Sequence, residues 1–348
     1  MKMRLLFSTV AMLLAVGAHA ATFDLFGKTY NVSEKTLSGA SFVGGTISTT
    51  NVSGVGLDFV QGATPAQDRL YMAISRLAGS AGSGLLYLTG ADSSGVFSSS
   101  SNIDFYFGTS CTDTQDGRPS SVYVRSLTDT GAADKNVYMS SFDSNDSINI
   151  YDFTNFPSVY TGAQRVATLV YQTGTVLTGG GAALEEYDGS NRALMVGGVS
   201  GKIGCICTLD MDALTQDANG VGLTGTTLVA GDQLRDIAKL SDGSYIVTGA
   251  PANNQNTRSR VIKLTISGTS ANPPVLTATT TGEVNLNTAG TWPDFTAGSA
   301  WIWGAAAGRG TGGNDVLYFT AISSTAPNAV TLYTLTPVTS SVENWKNK

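Results

Sequence analysis

The 348-residue sequence contains a single histidine, at position 19. It lies in a stretch that reads as removable, so the rest of the chain offers no imidazole. A Ser-His-Asp triad, a Cys-His nucleophile, a histidine general base and a histidine-ligated catalytic metal are therefore excluded from the mature chain. Charge is also scarce. Asp, Glu, Lys and Arg make up 13% of the residues, against a usual share of about 25%. Gly, Ser and Thr take their place, a composition that suits short strands joined by many turns. The three cysteines, Cys111, Cys205 and Cys207, are odd in number, so disulfide pairing would leave one over. Cys205 and Cys207 sit two apart in a strand-like run and share a face. With no histidine beside them they complete no mixed metal site. They read as small buried side chains, with a bridge from Cys111 to one of the pair as the alternative. No Pro-rich or charged linker divides the chain.

Lys2 and Arg4 precede an apolar run from Leu5 to Val16, and Ala18-His19-Ala20 is a small-x-small cleavage site. This pattern predicts an export signal over residues 1–20 and a single β domain over residues 21–348, located in a periplasm or outside the cell. The apolar run is shorter than a membrane span needs, and no span is expected after cleavage. Loss of Lys2 and Arg4 takes the formal net charge from −6 to −8. Nucleic acid is not an expected partner for so acidic a surface.

What the chain does contain is a repeat. Strand-like runs begin at Leu70, Val137, Ala193, Tyr245 and Val316. Each is followed by a second run, starting at Leu85, Ile148, Cys205, Val261 and Val330. A further strand precedes each pair: Leu57–Val60, Val122–Arg125, Ala183–Tyr187, Ile237–Leu240 and Ala300–Trp303. Turn formers sit just before the middle strand of each unit, at Asp68, Asn136, Asn191, Asp242-Gly243 and Asn314-Asp315. Fourth strands are expected at Ile103–Phe107, Arg165–Tyr171, Thr226–Val229 and Val275–Thr279. The fold class predicted is all-β: a β-propeller of about five, or six, four-stranded blades. Thr22–Tyr30 is strand-like and is expected to close the ring, removing an exposed sheet edge. Tandem β-sandwiches and a β-solenoid are the alternative architectures, because the middle strands recur at wide and uneven spacings.

The run Asp236-Ile237-Ala238-Lys239-Leu240-Ser241-Asp242-Gly243-Ser244-Tyr245-Ile246-Val247-Thr248-Gly249, with Arg260-Val261-Ile262-Lys263-Leu264 after it, resembles the repeats of secreted bacterial β-propeller proteins. Ala183 to Asp210 matches in part, and the other units match in spacing only. The resemblance implies a fold and no particular activity.

In a propeller the first strand of each unit lines the central channel. Asp58, Arg125, Glu185 (or Glu186), Asp236, and Trp301 or Trp303 would then converge as a candidate ligand site. The competing reading is solvated channel lining or packing between blades. Trp292, Trp301 and Trp303 would stack on sugar rings if exposed and pack between blades if buried. Carboxylate chemistry and calcium remain open to these residue types, since calcium needs only oxygen ligands. Even so, Asp143-Ser144-Asn145-Asp146, Asp210-Met211-Asp212 and Asp217-Ala218-Asn219-Gly220 each fall short of a calcium loop and read as turn caps. Gly308-Arg309-Gly310-Thr311-Gly312-Gly313 lacks the Lys-Ser/Thr ending and the helix of a phosphate loop, and reads as a hairpin loop. No cofactor is expected. The expected role is a non-catalytic binding or display protein with an unidentified ligand, carbohydrate or protein. A calcium-dependent hydrolase or lactonase-like propeller and a self-associating surface component are the alternatives.

Overall fold

The computed structural model describes residues 22–37, 41–42, 45–46, 55–74, 84–97, 101–106, 119–126, 135–141, 147–152, 165–170, 182–187, 191–197, 203–213, 215–216, 220–230, 232–250, 259–269, 271, 273–285, 300–310, 314–323 and 330–338. The expected export signal, Cys111, Trp292 and the Asp143–Asp146 turn lie outside these residues. Among the described residues no helix is long and apolar enough to cross a membrane.

The chain opens with a hairpin, β1 (Thr22–Leu25) and β2 (Lys28–Thr36), followed by a short pair, β3 (Ser41–Phe42) and β4 (Gly45–Thr46). The first blade is β5 (Val55–Val60), β6 (Arg69–Ile74), β7 (Gly84–Leu88) and β8 (Ser101–Tyr106). The second is β9 (Pro119–Ser126), β10 (Lys135–Ser141), β11 (Ser147–Asp152) and β12 (Arg165–Val170). The third is β13 (Ala183–Glu186), β14 (Arg192–Gly197), β15 (Cys205–Asp210) and the two-residue β16 (Thr215–Gln216). The fourth is β17 (Gln233–Lys239), β18 (Tyr245–Ala250), β19 (Arg260–Gly268) and β20 (Leu276–Asn285). The last strands are β21 (Ala300–Gly308), β22 (Val316–Ser323) and β23 (Val330–Pro337), and they join β2 and β1 in the order β21-β22-β23-β2-β1.

Each sheet is an antiparallel meander, and the inner strands β5, β9, β13, β17 and β21 neighbour one another in turn, with β21 returning to β5. This is a β-propeller. The count differs from the expectation of about five or six four-stranded blades. Four blades are four-stranded, and the ring is completed by a five-stranded sheet drawn from both ends of the described chain. The strand that pairs with β23 is β2, with Tyr30 opposite Pro337 and Thr36 opposite Thr331, while Thr22–Leu25 adds a fifth, outer strand. Thr226–Val229 is not the fourth strand of the third blade; that place belongs to Thr215–Gln216. Asp232 accounts for the difference, because its carboxylate accepts the Val229 amide at 3.0 Å and holds the segment in a turn.

Sheets buried on both faces need apolar residues at consecutive positions. Val316 and Tyr318 pack towards the first blade, whereas Leu317 and Phe319 pack towards the fourth. The fourth blade in turn packs on the third through Ile237, Val247 and Ile262. The hairpin expected at Asp242-Gly243 is present, with Gly243 at φ +82° and its amide bonded to the Leu240 carbonyl at 2.9 Å. Near the axis the backbones come closer still. A Cβ added at Gly304 would stand 2.4 Å from the Val55 carbonyl oxygen, so only glycine fits there. Beside it, the Thr320 hydroxyl accepts the Gly304 amide at 2.8 Å and donates to the Val55 carbonyl at 2.6 Å.

Gly304→Ala is therefore expected to cost on the order of 2 kcal/mol through forced separation of β21 from β5. Urea unfolding of the two proteins side by side would read this directly, and an unchanged midpoint would contradict the tight approach.

Candidate functional site

The residues expected to converge divide into two levels. At the lower level, Asp236 of β17 is buried, and β17 breaks register between Leu234 and Asp236. One of its carboxylate oxygens accepts the amides of Leu57 on β5 (2.9 Å) and Ala305 on β21 (3.0 Å). The other accepts the hydroxyl of Ser121 on β9 (3.2 Å) and the amide of Ile237 (3.1 Å). One side chain thus ties four inner strands together, and at this level the axis is filled rather than open. Burial pushes the Asp236 carboxyl well above its ordinary range, and the four donors pull it back only in part. Its chain neighbour Arg235 is also buried and lies 4.6 Å from the centre of the Trp303 ring. Desolvation lowers this guanidinium to about 10.

Trp303 is itself part of the core between the first blade and the five-stranded sheet, and its carbonyl accepts the Thr248 hydroxyl. Trp301 packs against the same cluster. The two tryptophans are therefore placed in packing between sheets.

The upper level is a cleft of about 290 Å3 at the C-terminal ends of the inner strands. Asp58 and Phe59 enter it from β5, Glu185 and Glu186 from β13, and Lys239 from β17. Arg309 and Asp315, flanking the β21–β22 turn, complete its wall. Asp58 and Glu185 are partly buried. Asp58 accepts the Val124 amide of β9 at 2.6 Å. Glu185 accepts the Lys239 amide of β17 at 2.9 Å with one oxygen and the Glu186 amide at 2.7 Å with the other. Desolvation, with the charge of Glu185 adding to it, raises the Asp58 carboxyl well above the usual range. Desolvation likewise pushes Glu185 up to about 7. Burial, with the charges of Glu185 and Asp58 adding to it, raises the nearby Tyr123 phenol.

Arg125 faces away from this pair. It donates to Asn191 and lies 3.6 Å from Asp212, on the third blade. That contact belongs to a second set of stitches. In three of the sheets the residue just before the middle strand accepts hydrogen bonds from the end of the preceding sheet's inner strand. Asn191 accepts Arg125, Asp315 accepts the Ser241 amide and hydroxyl, and Asp68 accepts both forks of the Arg309 guanidinium. Arg309 reaches Asp68 from a left-handed backbone conformation (φ +43°) and also binds the Gly62 carbonyl at 2.9 Å.

Of the expected set, the structure brings Asp58 and Glu185 into one cleft and puts Asp236 beneath them. It directs Arg125 outward and Trp301 and Trp303 into packing. Sequence reasoning missed Tyr123, Lys239, Arg309 and Asp315. The one available signal was the recurrent Asp or Asn before each middle strand, which marks these inter-sheet acceptors. Among the described residues no group of three or more His, Cys, Asp or Glu side chains is placed to hold a metal ion. Asp210 does cap a turn, accepting the amides of Asp212 and Ala213. Cys205 and Cys207 are buried in β15.

No protein family's sequence profile matches the chain, and no curated protein matches it. Solved structures do share its general shape. A thermostable family-43 glycoside hydrolase matches with a TM-score of 0.46 at 11% identity, over 84% of this chain and 91% of that one. The Malassezia sympodialis allergen Mala s 1 matches at 0.44 and 13%, over 91% and 92%. The tail fiber of Staphylococcus aureus phage P68 matches at 0.40 and 11%, over 91% of this chain but only 54% of the fiber. Likeness of this degree carries no argument about activity.

Asp236→Ala removes an acceptor from four donors at once and is expected to destabilise the fold by on the order of 3 kcal/mol or more. Arg125→Ala, at a partly exposed stitch, should cost about 1 kcal/mol or less. Denaturant midpoints of the two variants would rank them, and the reverse order would refute the hub role of Asp236.

Proposed function

We propose that this chain is an exported, non-catalytic binding protein, with residues 1–20 as a cleaved signal and residues 21–348 as one propeller acting in a periplasm or outside the cell. The cleft at the C-terminal ends of the inner strands is its ligand site. The observation that carries this reading is the mixed lining of that cleft: acceptors at Asp58, Glu185 and Glu186, a donor at Lys239 and an apolar ring at Phe59, in a volume of about 290 Å3. Such a lining suits a small hydroxylated ligand of monosaccharide size. Hydroxyls both donate to carboxylates and accept from an ammonium, and an aromatic ring covers the apolar face of a sugar.

A hydrolase is the second reading, favoured by the presence of two carboxyls of raised pKa in the same cleft. Calcium dependence would have to come from outside the residue groups described above.

Isothermal titration of the mature chain with neutral, amino and acidic monosaccharides is the test. Binding of at least one is expected, weakened about tenfold by Glu186→Gln or Lys239→Ala, since each group supplies about 1.4 kcal/mol when its bond is lost. No heat across the panel would refute the binding reading, and turnover of chromogenic glycosides would favour the hydrolase.

A further inference from the structure

Three of the junctions between sheets are closed by a carboxylate on one inner strand that accepts an amide of the next: Asp58 with Val124, Glu185 with Lys239, and Asp236 with Ala305. The hydrogen bonds described for these three carboxylates come from neutral donors. Asp58 and Glu185 stand on the first and third blades, on opposite sides of β9, and they open into the same cleft. We propose that Asp58 and Glu185 form a proton-operated latch at the ring mouth. While the pair holds a proton the mouth stays closed, and when both are ionised their repulsion loosens the first and third blades.

The surroundings decide the sign. Tyr123 faces the pair from β9, Glu186 from β13, and Asp236 and Lys239 from β17, while Arg309 and Asp315 close the wall from the last sheet and Arg125 of β9 points away. The three cations are engaged elsewhere. Arg125 is held by Asn191 and Asp212, Arg309 by Asp68, and the Lys239 ammonium by the Tyr187 carbonyl at 3.0 Å and Glu186 at 3.3 Å. The second negative charge therefore meets Asp236 beside Asp58 and Glu186 beside Glu185, and the attraction of Lys239 offsets this only in part at Glu185. Desolvation acts in the same direction. In the unfolded chain both groups titrate near 4. Between that value and about 7 the folded chain binds more protons than the unfolded one, so stability falls as pH rises through this window. The device does not depend on the cleft holding a ligand.

The test is thermal unfolding of the mature protein from pH 5 to pH 8, alongside Asp58→Asn and Glu185→Gln. The wild-type midpoint is expected to fall by on the order of 5 °C across that range. Each variant should show a shallower slope, with the remainder due to Asp236 and Asp315. Amide exchange at Val124 and Lys239, corrected for its intrinsic pH dependence, should quicken above pH 7 in the wild type. A wild-type midpoint that is flat or rises with pH would overturn the proposal, as would full retention of the slope in both variants. If neither variant folds, the wild-type profile and the exchange at these two amides decide the matter alone.

Discussion

Everything in this molecule depends on the pairing of β2 with β23. Seven residue pairs, from Tyr30–Pro337 to Thr36–Thr331, join the start of the described chain to its end. Without them β23 is an open edge. With them the last sheet is held between the fourth blade and the first, and its two faces are buried by both. The apolar runs in β22 make sense only in that position, because a sheet with one wet face would waste every second side chain.

Closure has an electrostatic cost. Five inner strands meeting at an axis bring backbone amides together where sheet pairing cannot satisfy them, and buried amides must be satisfied. The chain answers with carboxylates and a hydroxyl: Asp58, Glu185 and Asp236 near the axis, Thr320 beside them, and Asp68 and Asp315 further out. The solution satisfies the amides but buries negative charge with little compensation. The same acidic side chains therefore hold the ring together and give the mouth its chemical character. A polar cleft at a propeller's axis is in this case first a consequence of assembly, and any ligand uses what assembly left exposed.

Much of the fold was legible. The five middle strands, the strands before and after them, and the Asp242-Gly243 hairpin follow from β-branched and aromatic runs broken by turn formers. The errors have physical causes. Thr226–Val229 has the composition of a strand, but Asp232 captures its backbone, and no local pattern announces a bond of that kind. Closure of the last sheet by the N-terminal segment was expected; the blade count differed because that segment adds two strands, giving four four-stranded blades and a five-stranded closing sheet. The site was less legible. Asp58 and Glu185 were identified from their place on inner strands. Trp303 has the same pattern-level credentials, but in the fold it lies in the core under Arg235.

The sequence by itself determined the β class and the meander unit, because these depend on residue type and short-range order. Only the tertiary structure decided which side chains meet. Asp58 and Val124 are 66 positions apart, and Asp236 and Leu57 are 179 apart. Ring closure makes them neighbours, and no local propensity encodes a distance set by how five sheets pack around an axis.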